Sequence, residues 1–194
     1  MTIQEIAKEV IEGKWSSGND RRQRLTRAGY NYQEVQAEVN RIYKSGKAQK
    51  IIDKAQRELG VEESPPNSNN VKYNTWYYGH EVSGAAYPWC AVFISWLFDG
   101  TGLVKKTASC ADMLEWFEVH NRIVKTPAPG DIVFFRYSTN TRRTNHVGLV
   151  VDVKGNTITT IEGNTSKGSN DNGGRVMRRK RSGNIVGYAR PKYD

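Results

Sequence analysis

The sequence predicts an α+β protein, helices packed on an antiparallel sheet, preceded by a small three-helix module. Three observations carry that reading. Apolar residues between positions 2 and 44 recur at three- and four-residue intervals, the spacing that lines one face of a helix. Beyond Pro127-Ala128-Pro129-Gly130 the pattern changes to short runs of β-branched and aromatic residues divided by polar turns, which is strand chemistry. Helices followed by consecutive strands favour an antiparallel sheet over the alternating order of a parallel one. The 194 residues fit one ordinary domain of roughly 150 residues with a small addition.

In the first module Ile3, Ile6, Val10 and Ile11, then Leu25 and Ala28, then Val35, Val39 and Ile42 form three apolar stripes. Asn19 and Asn31 are placed to cap the second and third helices. This module covers residues 1–44. Residues 44–50 are polar and include Ser45 and Gly46, so they read as a linker. A helix over 48–59 follows, making 45–60 linker and helix and 61–194 the larger domain. Residues 64–70 favour turns, and 73–87 read as an aromatic loop. Pro88 suits a first helical turn, which places a buried helix over 89–99. Another helix runs from about 110 to 120 with Met113, Leu114 and Phe117 inward. Strands are expected at 132–137, 146–153, 157–161 and near 185–189.

Composition narrows the function classes. Hydrophobic residues make up 37% of the chain, with five Trp and ten Tyr, enough for a compact core and against wholesale disorder. The most apolar stretch, 91–98, is far shorter than the roughly 18 residues of a membrane helix. Glu5, Lys8 and Glu9 interrupt the N-terminus where a secretory signal would be continuously apolar. Cys90 and Cys110 are too few for a disulfide framework or a zinc knuckle, and neither metal ligands nor a cofactor are expected. The net charge of +9 is concentrated at the two ends, which suggests a polyanionic partner. Arg175, Arg178, Arg179, Lys180 and Arg181 form a basic run without interleaved stacking aromatics, so a solvated hairpin or attraction to an anionic wall polymer ranks ahead of nucleic acid.

Three residues far apart in the chain carry chemistry when taken together. Cys90 opens a predicted helix, where unpaired N–H groups and the helix dipole favour a thiolate. His146 heads a strand after the polar loop 138–145, and Glu162 follows the strand 157–161 with Asn164 close behind. Each has an ordinary reading alone: core thiol, surface histidine, turn residues. In a helix-on-sheet domain they converge as nucleophile, base and orienting acid at one solvent-open groove. His80 and His120 lack such a placement. Cys110 reads as a helix-start or core thiol; a disulfide to Cys90 would silence the nucleophile, so both thiols are expected reduced.

Four motifs in order carry a family resemblance: Tyr87-Pro88-Trp89-Cys90-Ala91-Val92-Phe93, Pro129-Gly130-Asp131-Ile132-Val133-Phe134-Phe135, Asn145-His146-Val147-Gly148-Leu149-Val150 and Ile161-Glu162-Gly163-Asn164. Over about 61–193 the chain resembles the CHAP family of cysteine, histidine-dependent amidohydrolases and peptidases that cut bacterial peptidoglycan. The resemblance implies a papain-like fold, Cys90 as nucleophile, His146 as base, Glu162 as orienting residue and Asn164 as an auxiliary polar group. Trp89, beside the cysteine, is placed with the substrate-binding residues. Some members of the family bind calcium through acidic residues around the cysteine; here 81–93 offers Glu81 alone, against six to eight oxygens needed.

The first module resembles the type-seven, choline-independent cell-wall-binding repeat of phage lysins, through Gly13-Lys14-Trp15, Gly18, Arg21, Leu25, Ala28-Gly29-Tyr30, Tyr32 and Val35-Gln36. Ser16 and Ser17 depart from its usual Gly-Asn. The resemblance implies recognition of the muropeptide, with Trp15, Arg21 and Tyr30 suited to sugar stacking and carboxylate pairing and Tyr32 assigned to the core. The combined expectation is a phage-type peptidoglycan hydrolase, amidase or endopeptidase, held in the host cytoplasm until release to the wall. The competing expectation is a non-catalytic wall-binding protein on a hydrolase scaffold.

Overall fold

A computed structural model describes residues 1–139 and 143–193; of the polar loop read at 138–145, residues 140–142 lie outside the described residues. The chain divides into two compact units, one built on Met1–Ala48 and the other on Gln49–Lys192.

The smaller unit contains α1 (Ile3–Ile11), α2 (Gly18–Arg27) and the first part of α3 (Tyr32–Arg57). Ile6, Ala7, Val10, Leu25, Val35 and Val39 form its core, with Trp15, Tyr30 and Tyr32 packed partly buried against it. Each of the larger aliphatic side chains contributes about 1.5–3 kcal/mol on burial, the main favourable term in so small a module. Asn31 caps α3 as predicted: its Oδ1 accepts from the Gln33 N–H at 2.9 Å and the Glu34 N–H at 3.4 Å. Asn19 does not cap α2, which begins at Gly18 after Ser17.

The expected linker is helix. α3 runs unbroken through residues 44–50 to Arg57. The physical reason is the buried stripe Ala48, Ile51, Ile52 and Ala55, whose helical spacing outweighs the roughly 1 kcal/mol that Gly46 costs in a helix interior.

The larger unit holds α4 (Lys72–Tyr78), α5 (Cys90–Leu97), α6 (Cys110–Val119) and six strands: β1 (Ile123–Val124), β2 (Ile132–Phe135), β3 (His146–Lys154), β4 (Thr157–Thr165), β5 (Arg175–Arg181) and β6 (Ile185–Ala189). They form one sheet in the order β1-β6-β2-β3-β4-β5, antiparallel at every pairing. The α+β class is as predicted. α4 replaces part of the expected aromatic loop: Tyr73 is fully buried, stacked on Trp89 and edge-on to Phe93, so packing overrides the modest helix propensity of aromatic residues. The helix stops at Gly79, whose φ of 78° supplies a left-handed cap.

Two features of the sheet position the site. β4 extends four residues beyond the predicted end, so Glu162 and Asn164 belong to the strand and not to a turn. β5, read from sequence as a basic run, is an edge strand; its exposed Arg175, Arg178 and Lys180 are the charges that keep an edge from pairing with other chains. Phe135 pairs with His146 and Val133 with Gly148, which puts them on one face with Val150 and Ile158. α5 packs on the other face. A Cβ on Gly163 would lie 2.7 Å from Phe93 Cβ and 2.8 Å from Trp89 Cζ3, so only glycine lets the helix sit this close to β4.

Candidate active site

Cys90 is the first residue of α5, after Trp89 at the N-cap. Its sulfur lies 4.0 Å from the Asn145 carbonyl oxygen at the head of β3. The helix is anchored by Ser95, whose Oγ accepts from the Thr107 N–H at 3.0 Å and donates to the Thr107 carbonyl at 2.9 Å. That tie draws in the segment leading to α6, whose first residue is Cys110. The two sulfurs are 3.4 Å apart, and both thiols are free.

His146 is wholly buried. Its Nε2 hydrogen-bonds Glu162 Oε2 at 2.9 Å. Nδ1 is buried with no partner at full hydrogen-bond geometry among the described residues, which leaves it as the ring nitrogen for the neighbouring Cys90 thiol. Glu162 is also wholly buried, and its carbon chain occupies the space beside Gly148: a Cβ there would meet Glu162 Cγ at 2.7 Å. The glycine of the His-Val-Gly motif therefore makes room for the acid on the next strand.

The electrostatics follow from these contacts. Cys110, by hydrogen bonding, and His146, by hydrogen bonding and charge, hold the Cys90 thiol well below its ordinary range against the opposing effect of burial. Burial pulls the His146 ring down, but its bonds to Cys90 and Glu162 carry it up to about 9. Burial likewise opposes the charge on Glu162, while Arg181 and His146 hold it down to about 2. Cys110, which shares its proton with Cys90 and is itself buried, is pushed well up. The shifts of Cys90 and Glu162 favour their anions and that of His146 its cation, while the shift of Cys110 favours the neutral thiol.

The site is more closed than the expected open groove. Cys90 is 4% exposed and His146 and Glu162 are not exposed at all, so of the three only Cys90 meets solvent, over a small area. Trp89 is corrected: it is fully buried, with its indole N–H donated to Glu63 Oε1 at 2.8 Å, and it packs the helix start instead of facing a substrate. Asn164 stands apart from the three-residue set. At φ 55° it closes the β4–β5 connection, accepting from the Gly173 N–H on its carbonyl at 2.9 Å and from the Gly174 N–H on Oδ1 at 3.2 Å. Its buried Nδ2 has no hydrogen-bond partner among the described residues.

In the smaller unit Trp15 donates its indole N–H to Glu9 at 2.9 Å and meets Tyr30 edge-on at 6.0 Å. Arg21 donates from two nitrogens to the Ser16 carbonyl, so it fixes the α1–α2 connection. Tyr30 does line a groove, in company with Arg22, Thr26 and Tyr32. Tyr32, assigned to the core, is thus half-buried and reaches the surface, with Arg22 5.9 Å over its ring.

Sequence reasoning missed Arg181. It is buried, its Nε donates to Glu162 Oε1 at 2.8 Å and its Nη2 to Oε2, and it lies 5.4 Å and 5.3 Å over the rings of Phe135 and Tyr137. The signal lay in the run itself: seven residues from Arg175, with Val176 and Met177 near its start, have the length of a strand, and alternation then puts Arg179 and Arg181 on one face.

Comparison with known proteins agrees with the division of the chain. Residues 4–43 match the CW_7 repeat and residues 82–164 match the CHAP domain. No curated protein matches the chain. Among solved structures, "The crystal structure of Ly7917" is 16% identical, with a TM-score of 0.45 and coverage of 75% of this chain and 62% of that one. "The crystal structure of Ly7917 with the hydrolyzing product of MDP" is 17% identical, with a TM-score of 0.42 and coverage of 74% and 62%. This chain thus spans less than two thirds of the length of the solved chains it matches. The chain thus carries a segment that matches the CHAP domain, preceded by one that matches the CW_7 repeat.

Proposed function

We propose that the chain is a peptidoglycan hydrolase that cleaves an amide bond of the stem peptide, or of its junction with muramic acid, through a Cys90 thioester. The observation that carries this reading is the buried line of contacts from Cys90 through His146 to Glu162, together with the CHAP and CW_7 matches. A thiolate already paired with an imidazolium needs no base to activate it.

The Cys90 sulfur attacks the amide carbonyl carbon, and the carbonyl π electrons move to oxygen. The Cys90 backbone N–H, at the first turn of α5 where the helix itself offers it no carbonyl, is placed to stabilise that oxyanion. His146 gives its Nδ1 proton to the departing amine as the C–N bond breaks, leaving a thioester and neutral imidazole. Water then attacks the thioester, losing a proton to Nδ1; the sulfur leaves as thiolate, and the product is a carboxylic acid. Glu162 on Nε2 keeps the ring aligned and stabilises its charged form throughout.

The smaller unit is the wall-binding part. Tyr30 and Tyr32, with the Arg22 guanidinium beside them, offer ring faces to sugars and a cation to a muropeptide carboxylate.

The test is digestion of purified peptidoglycan followed by mass spectrometry of the fragments. New amine and carboxyl ends should appear with the parent protein. New muramic acid carboxyls identify an amidase, and new peptide ends an endopeptidase. Cys90→Ala should lower the rate by about four to six orders of magnitude, the usual cost of losing a nucleophile. A variant that digests walls at the parental rate would leave only the wall-binding role.

A further inference from the structure

We propose that Arg181 is a positioning residue of this site: its guanidinium fixes the Glu162 carboxylate against His146 and extends the set to a buried chain of four, Cys90-His146-Glu162-Arg181. The inference rests on the hydrolase reading only for its consequence in catalysis; its geometry stands alone.

A buried carboxylate with one imidazole partner has little reason to stay ionised, because desolvation disfavours the charge. Glu162 has more than that one partner. Arg181 Nε and Nη2 bond its two oxygens in parallel, the fork geometry that sets both charge and orientation. Thr160 Oγ1 donates to Oε1 as well. The carboxylate plane is thereby fixed, and Oε2 is aimed at His146 Nε2.

Arg181 is in turn held. Phe135 and Tyr137 are stacked at 5.5 Å and 16°, and the guanidinium lies over both. Its third nitrogen, Nη1, donates to Asn170 Oδ1 at 2.7 Å, and Arg179 Nη2 donates to the same oxygen at 2.9 Å. Asn170 lies in the β4–β5 connection, whose Asp171 accepts from Asn145 Nδ2, the residue just before His146. The charged and titratable groups that act on the carboxylate are His146 from β3 and Arg181 from β5, with Tyr137 beyond β2 feeling its charge in turn; Arg179 from β5 and Asp171 from the connection act on Tyr137. A guanidinium stacked on two aromatic rings has no comparable substitute in an ammonium.

The experiment reads the Cys90 thiolate without any wall substrate: iodoacetamide alkylation as a function of pH, with adducts on Cys90 and Cys110 separated by peptide mass spectrometry. Removing Arg181 lets Glu162 protonate or turn, weakens the imidazolium and returns Cys90 toward its ordinary range. Arg181→Met should move the acid limb of the Cys90 profile up by about one pH unit or more, a tenfold loss of reactivity below it. Wall digestion should show the loss in kcat and not in KM. In a Glu162→Gln background the same substitution should change either readout less than about twofold. Arg181→Lys keeps a charge but one donor direction, so its limb should fall between parent and Arg181→Met.

A folded Arg181→Met protein with the parental acid limb overturns the proposal, as does an activity loss that persists in full in the Glu162→Gln background. If Arg181→Met fails to fold, the Arg181→Lys limb decides: coincidence with the parent overturns the proposal. Loss of wall digestion with an unchanged alkylation profile would fault Arg181's assigned role, whereas the predicted profile shift in a parent protein that digests no wall would fault the hydrolase reading alone.

Discussion

The two units bury different kinds of residue. Among the described residues of Met1–Ala48, the buried side chains are Ile6, Ala7, Val10, Leu25, Val35, Val39 and Ala48, all apolar. Gln49–Lys192 buries a larger apolar core and also Glu63, Asp131, His146, Glu162 and Arg181. The first unit keeps its charges on the surface, in pairs such as Arg24 with Asp20 and Arg41 with Glu38, which contribute at most about 1 kcal/mol each. The second places charge where desolvation is expensive and satisfies it with forked or multiple bonds: Arg181 on Glu162, and Arg190 on both oxygens of Asp131. One unit buries apolar side chains and keeps its polar contacts nearer the surface; the other carries a buried polar network that constrains what the apolar core around it can be.

That contrast is tested most severely at Glu162. Glu162→Ala leaves Arg181 and His146 in a desolvated site without their shared anion. Breaking a buried pair in this way costs about 3–5 kcal/mol. Unfolding followed by calorimetry should show the larger unit's transition lowered by that amount and the smaller unit's unchanged. Wall digestion should fall by about 10⁴-fold, as expected when an orienting acid is lost. A variant as stable as the parent would mean that the network contributes nothing net, and the contrast between the units would be one of composition only.

A smaller effect separates the units by pH. Glu162 is held near 2, below its ordinary 4.5, so its contribution is present above 4.5 and is lost as pH falls toward 2. Cys90 is held low, so its contribution also declines on acidification. His146, raised to about 9 from 6.5, contributes fully below 6.5 and less as pH rises through 9. Between 6.5 and 9 the His146 contribution falls as pH rises while the Cys90 contribution grows, so the two slopes have opposite signs and offset each other. The larger unit should therefore change less in stability from 6.5 to 9 than below 4.5, where Glu162 takes up its proton and stability falls by up to about 1.4 kcal/mol per pH unit. The smaller unit, with no buried ionisable group among its described residues, should change little over the same range. Chemical denaturation at a series of pH values checks both.

The same contrast explains what the sequence discloses. In the smaller unit the apolar stripes are the structure, so periodicity alone found α1, α2, the start of α3 and the Asn31 cap. It lost track at 44–50 only because Ala48, Ile51, Ile52 and Ala55 continue the stripe past a polar surface. In the larger unit the strands β2, β3 and β6 and the helices α5 and α6 were legible from their apolar and β-branched runs. Cys90, His146 and Glu162 were legible as motifs. Arg181 was not, because a burial that depends on two aromatic rings and a carboxylate from other strands leaves no mark on its own neighbours in the chain. Trp89 erred the other way: adjacency to Cys90 suggested a substrate contact, whereas a helix N-cap turns its side chain into the core, onto Glu63 and Tyr73.

The smallest effect sharpens the reading of the first unit. At the start of α1, Thr2 Oγ1 accepts from the Glu5 N–H at 3.2 Å and Glu5 Oε2 accepts from the Thr2 N–H at 2.8 Å, a reciprocal capping box. α1 supplies Ile6, Ala7 and Val10 to a core of only six buried side chains, so fraying its first turn loosens a large share of that core. Thr2→Ala should lower the stability of the smaller unit by about 1 kcal/mol, the usual cost of an N-cap. Wall pull-down should weaken only near that unit's melting temperature, and Cys90 alkylation should stay at the parental rate. A cost of several kcal/mol would show that so few buried side chains leave the unit dependent on each helix end, and that apolar burial is not its main support.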